Sequence, residues 1–177
     1  AQREFVLAMQ LDKNYSPAYV GLGLCFGSQK DFKTAYENMK KAKSLAKKKE
    51  DRVDAHVGMI RLYSMERKDK WVKDAEDEFE DAVKLDPKSS AAYFYMEKAY
   101  KYGYEFDKAG PQFKKVLDLN DKYLVEADNE WKVVQKIQRA APGSRIGKQI
   151  ALIEEITRAD LAALVIQELL LEKLYQE

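Results

Sequence analysis

The chain carries one cysteine and one histidine in 177 residues. A single thiol excludes an intrachain disulfide, which leaves a reducing cytosol and a disulfide-free envelope compartment equally open. Cys25 lies in the apolar stretch 21–27 and reads as a small buried hydrophobe rather than a nucleophile. A single imidazole excludes a multi-histidine metal centre. His56 falls on a helical packing face and reads as a buried structural histidine.

Net charge is also missing: 31 basic residues stand against 30 acidic ones, a formal charge of +1. No global field draws such a chain to nucleic acid or to an anionic membrane, so charge recognition has to be local. Long hydrophobic runs are absent too. The strongest apolar stretch, 159–171, is broken by Asp160, Gln167 and Glu168, and it is shorter than the roughly 20 residues a helix needs to cross a bilayer. No membrane insertion is expected.

The ingredients of an active site are scarce. Gly21-Leu22-Gly23 lacks the third glycine of a dinucleotide fingerprint and sits inside a helical pattern. Carboxylate pairs such as Glu154/Glu155 and Glu78/Glu80 lie on charge-alternating segments, where solvated i,i+4 pairing accounts for them. No catalytic, cofactor-binding or metal-ligating residue is assigned, and the expectation is a non-enzymatic protein with no cofactor.

What is present is a repeat. With 46% apolar and 34% charged side chains, the chain can bury a core under a charged skin. One motif recurs: an alanine, an aromatic residue or Met four later, and a small residue three after that. It appears as Ala1/Phe5/Ala8, Ala35/Met39/Ala42, Ala75/Phe79/Ala82 and Ala109/Phe113/Val116, each followed three residues on by leucine. Spacings of four and three place these side chains on one helical stripe. Before each of the last three comes a second amphipathic segment: Tyr19/Leu22/Gly23/Phe26, His56/Met59/Ile60/Tyr63, and Tyr93/Met96/Glu97/Tyr100. Polar turns such as 27–31 and 103–107 divide the two, and Leu85-Asp86-Pro87 closes a unit because proline cannot continue a helix. Each unit is therefore a helix, a turn and a helix.

The alanines Ala1, Ala35, Ala75 and Ala109 stand 34, 40 and 34 residues apart. Period and pattern resemble the tetratricopeptide repeat. The resemblance implies an all-α fold: a helical-hairpin solenoid wound into a right-handed superhelix. Its extent here is residues 1–139, comprising a half repeat (2–10), three full repeats and a capping helix over 124–139. The six extra residues of the middle interval fall in the charged stretches 47–52 and 67–71, where surface insertions are expected to be tolerated. Glu97 and Ile60 replace the small residue seen at Gly23, which predicts wider local packing. Gly110-Pro111 is expected to open the second helix of the last repeat. The chain starts at Ala1 in mid-unit, so an upstream portion is expected.

The stretch 140–144 is the clearest break, and residues 140–177 form a helical extension. There Thr157 suits an N-cap and Asp160 the first turn of a helix through Leu161, Leu164, Val165, Glu168, Leu169 and Glu172. The wording Ile156-Thr157-Arg158-Ala159-Asp160 resembles the start of a helix in S-layer homology domains. That implies a bacterial periplasmic or cell-envelope setting and cell-wall polymer as a partner.

In tetratricopeptide solenoids the first helices line a ligand groove, so the resemblance implies groove positions at Val20, Leu24, Val57, Arg61, Phe94, Lys98, Lys101 and Tyr102. The groove is expected to be apolar at its N-terminal end and basic with aromatics at the other, suited to a protein or peptide with acidic groups and an apolar anchor. Val20 and Leu24 stand where the family's chaperone-tail variety has lysine and asparagine. The leading expectation is an interaction scaffold or adaptor. The alternatives are a structural envelope protein and a self-assembling homo-oligomer.

Overall fold

A computed structural model describes residues 1–168 of the chain. These residues form ten helices and no strand: α1 Gln2–Leu11, α2 Ser16–Ser28, α3 Phe32–Leu45, α4 Lys49–Glu66, α5 Trp71–Leu85, α6 Ser90–Tyr102, α7 Phe106–Leu119, α8 Leu124–Ala140, α9 Arg145–Ile150 and α10 Arg158–Glu168. The protein is all-α. Helices α2/α3, α4/α5 and α6/α7 pair closely in sequence order, while α2 packs on α4 and α4 on α6, so each hairpin lies against the next. At the two ends, α1 packs on α2 and α8 on α7.

The repeating stripe is the core. Ala35, Met39 and Ala42 on α3, Ala75 and Ala82 on α5, and Ala109, Phe113 and Val116 on α7 are all fully buried. Alanine lets the backbones approach, and the larger neighbour fills the space beside the contact. The copy on α1 differs: no residue of that helix is buried, and Leu11 is 91% exposed. Glycine serves the contact between hairpins at Gly58, where an added Cβ would stand 2.9 Å from Val20 Cγ1 of α2 and 3.1 Å from Met39 Cε of α3.

Local chemistry sets the helix ends. Asp31 accepts from the Thr34 amide at 3.1 Å to start α3, and Ser89 accepts from the Ala92 amide at 3.2 Å to start α6. The charged turn between α4 and α5 is closed by Arg67 and Lys70 in left-handed conformations, φ 53° and 61°. Gly110-Pro111 does not open α7. That helix begins five residues before the proline, at the buried Phe106, and carries Pro111 inside it. The cost is modest because Pro111 and Asp107, whose carbonyl loses its partner, are both exposed.

Beyond the break, α9 is only six residues long and packs with α10. Glu168 of α10 accepts from the amides of Gly143 and Ser144 at 3.0 and 2.9 Å, and from Ser144 Oγ at 2.6 Å. Thr157 and Asp160 cap the start of α10 reciprocally: the Asp160 amide donates to Thr157 Oγ1 at 3.2 Å, and the Thr157 amide to Asp160 Oδ2 at 2.8 Å. Of the helix expected there, Leu169 and Glu172 lie outside the described residues. Cys25 and His56 are half-buried rather than enclosed.

Candidate partner-binding groove

Three adjoining depressions run over the first helices of the hairpins; Tyr95 lines all three, and Arg61, Lys98 and Tyr123 each line two. The N-terminal one is mainly apolar, lined by Phe5, Pro17, Val20, Leu24, Val57 and Tyr123 with Asp54 at its side. The largest, about 760 Å³, is basic and aromatic: Lys30, Arg61, Arg67 and Lys98 face it with Phe32, Tyr95 and Tyr102. The third lies toward α8, between Phe94, Tyr95 and Lys98 on one side and Glu126 and Glu130 on the other.

Seven of the eight groove positions inferred from sequence come together here: Val20, Leu24, Val57, Arg61, Phe94, Lys98 and Tyr102 all line one or more of the three depressions. Lys101 does not. It is 7% exposed and ion-paired with Glu130 of α8. Lys101 lies two turns after Phe94 on the same buried stripe, and cover by α8 rather than helix phase takes it out of the groove. The stripe faces α8, where Phe94 stacks on Tyr123 and Glu130 takes the Lys101 ammonium.

Tyr95 is the centre of the site, and repeat register passes over it because it falls between the inferred positions. Its ring lies under the guanidinium of Arg61, 4.5 Å from the Arg61 Cζ. It also meets Phe94 and Tyr123 edge-on, with centroids 5.2 and 5.7 Å apart. Burial pushes the Tyr123 hydroxyl pKa above its ordinary value, and the neighbouring Tyr95 adds to that. Arg67 sits in the stretch read from sequence as a tolerated insertion. In the fold it rests over Tyr102 at 4.6 Å from the ring centroid.

The carboxylate nearest the basic floor is already engaged. Glu66 accepts from the Tyr36 hydroxyl at 2.7 Å and pairs with Lys68 at 2.6 Å. Burial opposes its charge, but these two partners outweigh burial and hold its pKa below the usual carboxylate value. Tyr36 responds in the opposite direction, its pKa raised by burial and by Glu66. Behind the groove, Glu78 joins three helices: it lies 2.6 Å from His56 Nδ1 on α4 and 2.9 Å from Lys43 Nζ on α3.

The arrangement offers a long surface with apolar footing at one end and cations laid on aromatic rings at the other. No protein-family model, curated protein or solved structure matches the chain.

Proposed function

We propose that this chain is a tetratricopeptide-type solenoid that acts without catalysis, as a scaffold or adaptor holding a partner protein or peptide along the first helices. Support comes from hairpins packed in sequence order with buried alanines recurring on α3, α5 and α7. The observation that carries the reading is the continuity of the groove, in which Arg61, Tyr95, Lys98 and Tyr123 are shared between neighbouring depressions. An extended or helical segment laid there meets aliphatic footing and then charge-assisted contacts, each worth about 1.5–3 kcal/mol.

The test is to pan arrayed random peptides against the immobilised chain and to repeat the measurement with Leu24→Glu and Tyr95→Ala. Peptides that both substitutions weaken, at unchanged melting temperature, support the reading. Binding that ignores both substitutions, or no binding at all, removes it.

Self-assembly is a second reading, favoured by apolar side chains left open at both ends. Leu7 and Leu11 on α1 are 48% and 91% exposed, and Leu161, Val165 and Ile166 on α10 are 38–50% exposed. Light scattering across a concentration series decides it, since a monomer throughout rules it out. Attachment to wall polymer draws only on the wording of 156–164, where Thr157 and Asp160 are engaged in capping α10.

A further inference from the structure

The basic wall of the groove carries an inference that rests on the groove reading and specifies the ligand. Arg61 on α4 and Arg67 at its C-terminal end lie over Tyr95 and Tyr102 of α6, at 4.5 and 4.6 Å from the ring centroids. Among the described residues neither arginine has a carboxylate within ion-pair distance. Both line the largest depression, where the one acid, Glu66, is taken up by Tyr36 and Lys68. An arginine flattened on an aromatic face has little freedom left to lose on pairing, and Arg67, which donates its Nε–H to the Ser64 carbonyl at 3.0 Å, keeps its terminal N–H groups for a ligand. Two such groups in a depression whose one acid is already engaged are complementary to an acidic ligand.

Their spacing says how the acid groups are arranged. Tyr95 and Tyr102 are seven residues apart on one helix, which is two turns and a rise of about 10.5 Å on one face. A chain in polyproline II form repeats its side-chain direction every three residues at a rise of about 3.1 Å each, so groups three apart face the same wall about 9.3 Å from one another. Lys98 stands between the two tyrosines on the same face and adds a cation, 3.6 Å from Glu130. We propose that the groove takes a peptide segment in polyproline II form bearing two carboxylates three residues apart, one for Arg61 and one for Arg67. A single phosphate group is too small to reach both.

Arrayed peptides carrying a glutamate pair side by side, three apart or six apart test this against the full chain by fluorescence anisotropy. Peptides with the pair three apart should bind tightest. Arg61→Gln and Arg67→Gln should each weaken them about tenfold, and the double substitution should erase the preference for spacing. If a glutamine variant melts early, the matching lysine substitution keeps the charge and removes only the bidentate fork. Equal binding at all spacings, indifference to both arginines, or equal capture of a peptide with one phosphoserine would overturn the proposal. Should uncharged peptides bind and be lost with Leu24→Glu, the groove reading stands and this one falls. If no peptide of any kind binds, both fall.

Discussion

The ring of Phe94 on α6 lies face to face with that of Tyr123 at the head of α8, with centroids 4.7 Å apart and planes inclined by 6°. Helices α6 and α8 do not approach as closely along their backbones as α2 and α4 or α4 and α6 do. Long side chains bridge them instead: this stack, and the pairing of Lys98 and Lys101 with Glu130. Tyr123→Ala should therefore loosen α8 in particular. A half-buried aromatic stack is worth about 2 kcal/mol, counting lost burial and ring contact. Hydrogen exchange should quicken in α8 well before it changes in α4. Uniform acceleration across all helices would show that the stack does not act locally.

Glu97 gives the fold a pH dependence of unusual sign. The side chain is fully buried and, among the described residues, neither carboxylate oxygen has a hydrogen-bond partner. Burial, with Glu130 adding to it and Lys101 and Lys98 opposing, pushes its pKa from 4.5 up to about 11. The folded state thus holds a proton that the unfolded chain releases. A raised folded pKa contributes stability that is complete below pH 4.5 and lost as pH climbs toward 11. Denaturant melts of the wild type should weaken steadily from pH 5 to pH 9. Glu97→Leu should flatten that slope and add about 1–3 kcal/mol at pH 7, the cost of an unsatisfied buried polar group. A wild-type slope that the substitution leaves intact would assign the dependence to other groups.

How far these features could be read from sequence depends on what sets them. The buried stripe was legible because alanine at Ala35, Ala75 and Ala109 answers a local demand, close backbone approach, that shows up as period. Seven of the eight positions carried over from the repeat resemblance line the depressions. The resemblance misplaced Lys101 and passed over Tyr95, because a residue's exposure there depends on a neighbouring helix: α8 covers Lys101 and leaves Tyr95 open. The six extra residues in the middle interval signalled a tolerated loop, yet the fold brings Arg67 of that stretch over Tyr102. Glu97 was legible as a misfit beside Gly23 and Ile60, but its lack of any partner among the described residues required coordinates.

Glu78 should act in the opposite pH range from Glu97. Burial works against its charge, and the hydrogen bonds and charges of His56 and Lys43 overcome that and depress its pKa. A depressed folded pKa contributes stability that is present above the ordinary carboxylate value of 4.5 and lost as pH falls through the folded value. Glu78→Gln should cost about 1–3 kcal/mol at pH 7, because Lys43 and His56 lose a charged acceptor at the junction of α3, α4 and α5. The gap between variant and wild type should close in strong acid, where both side chains are neutral. Equal stability at pH 7 would mean that the three-helix bridge contributes nothing net.

Gly58 sets two known effects against each other. Alanine in place of a helical glycine gains about 1 kcal/mol of helix propensity. Its Cβ would, however, meet Val20 Cγ1 at 2.9 Å and the flexible thioether of Met39 at 3.1 Å. Met39 can turn aside, but the branched Val20 has one preferred rotamer and yields less easily. Gly58→Ala should consequently come out close to neutral in a denaturant melt. Gly58→Val adds two methyls that have no room to go, and overpacking of this kind costs about 1–3 kcal/mol. Because Val20 and Gly58 both line the apolar compartment, the valine variant should also weaken any ligand whose capture depends on Leu24, while the alanine variant should not. A valine variant as stable as the wild type would mean that the hairpins can slide apart at this contact, and the close packing of α2 on α4 would then not set the shape of the groove.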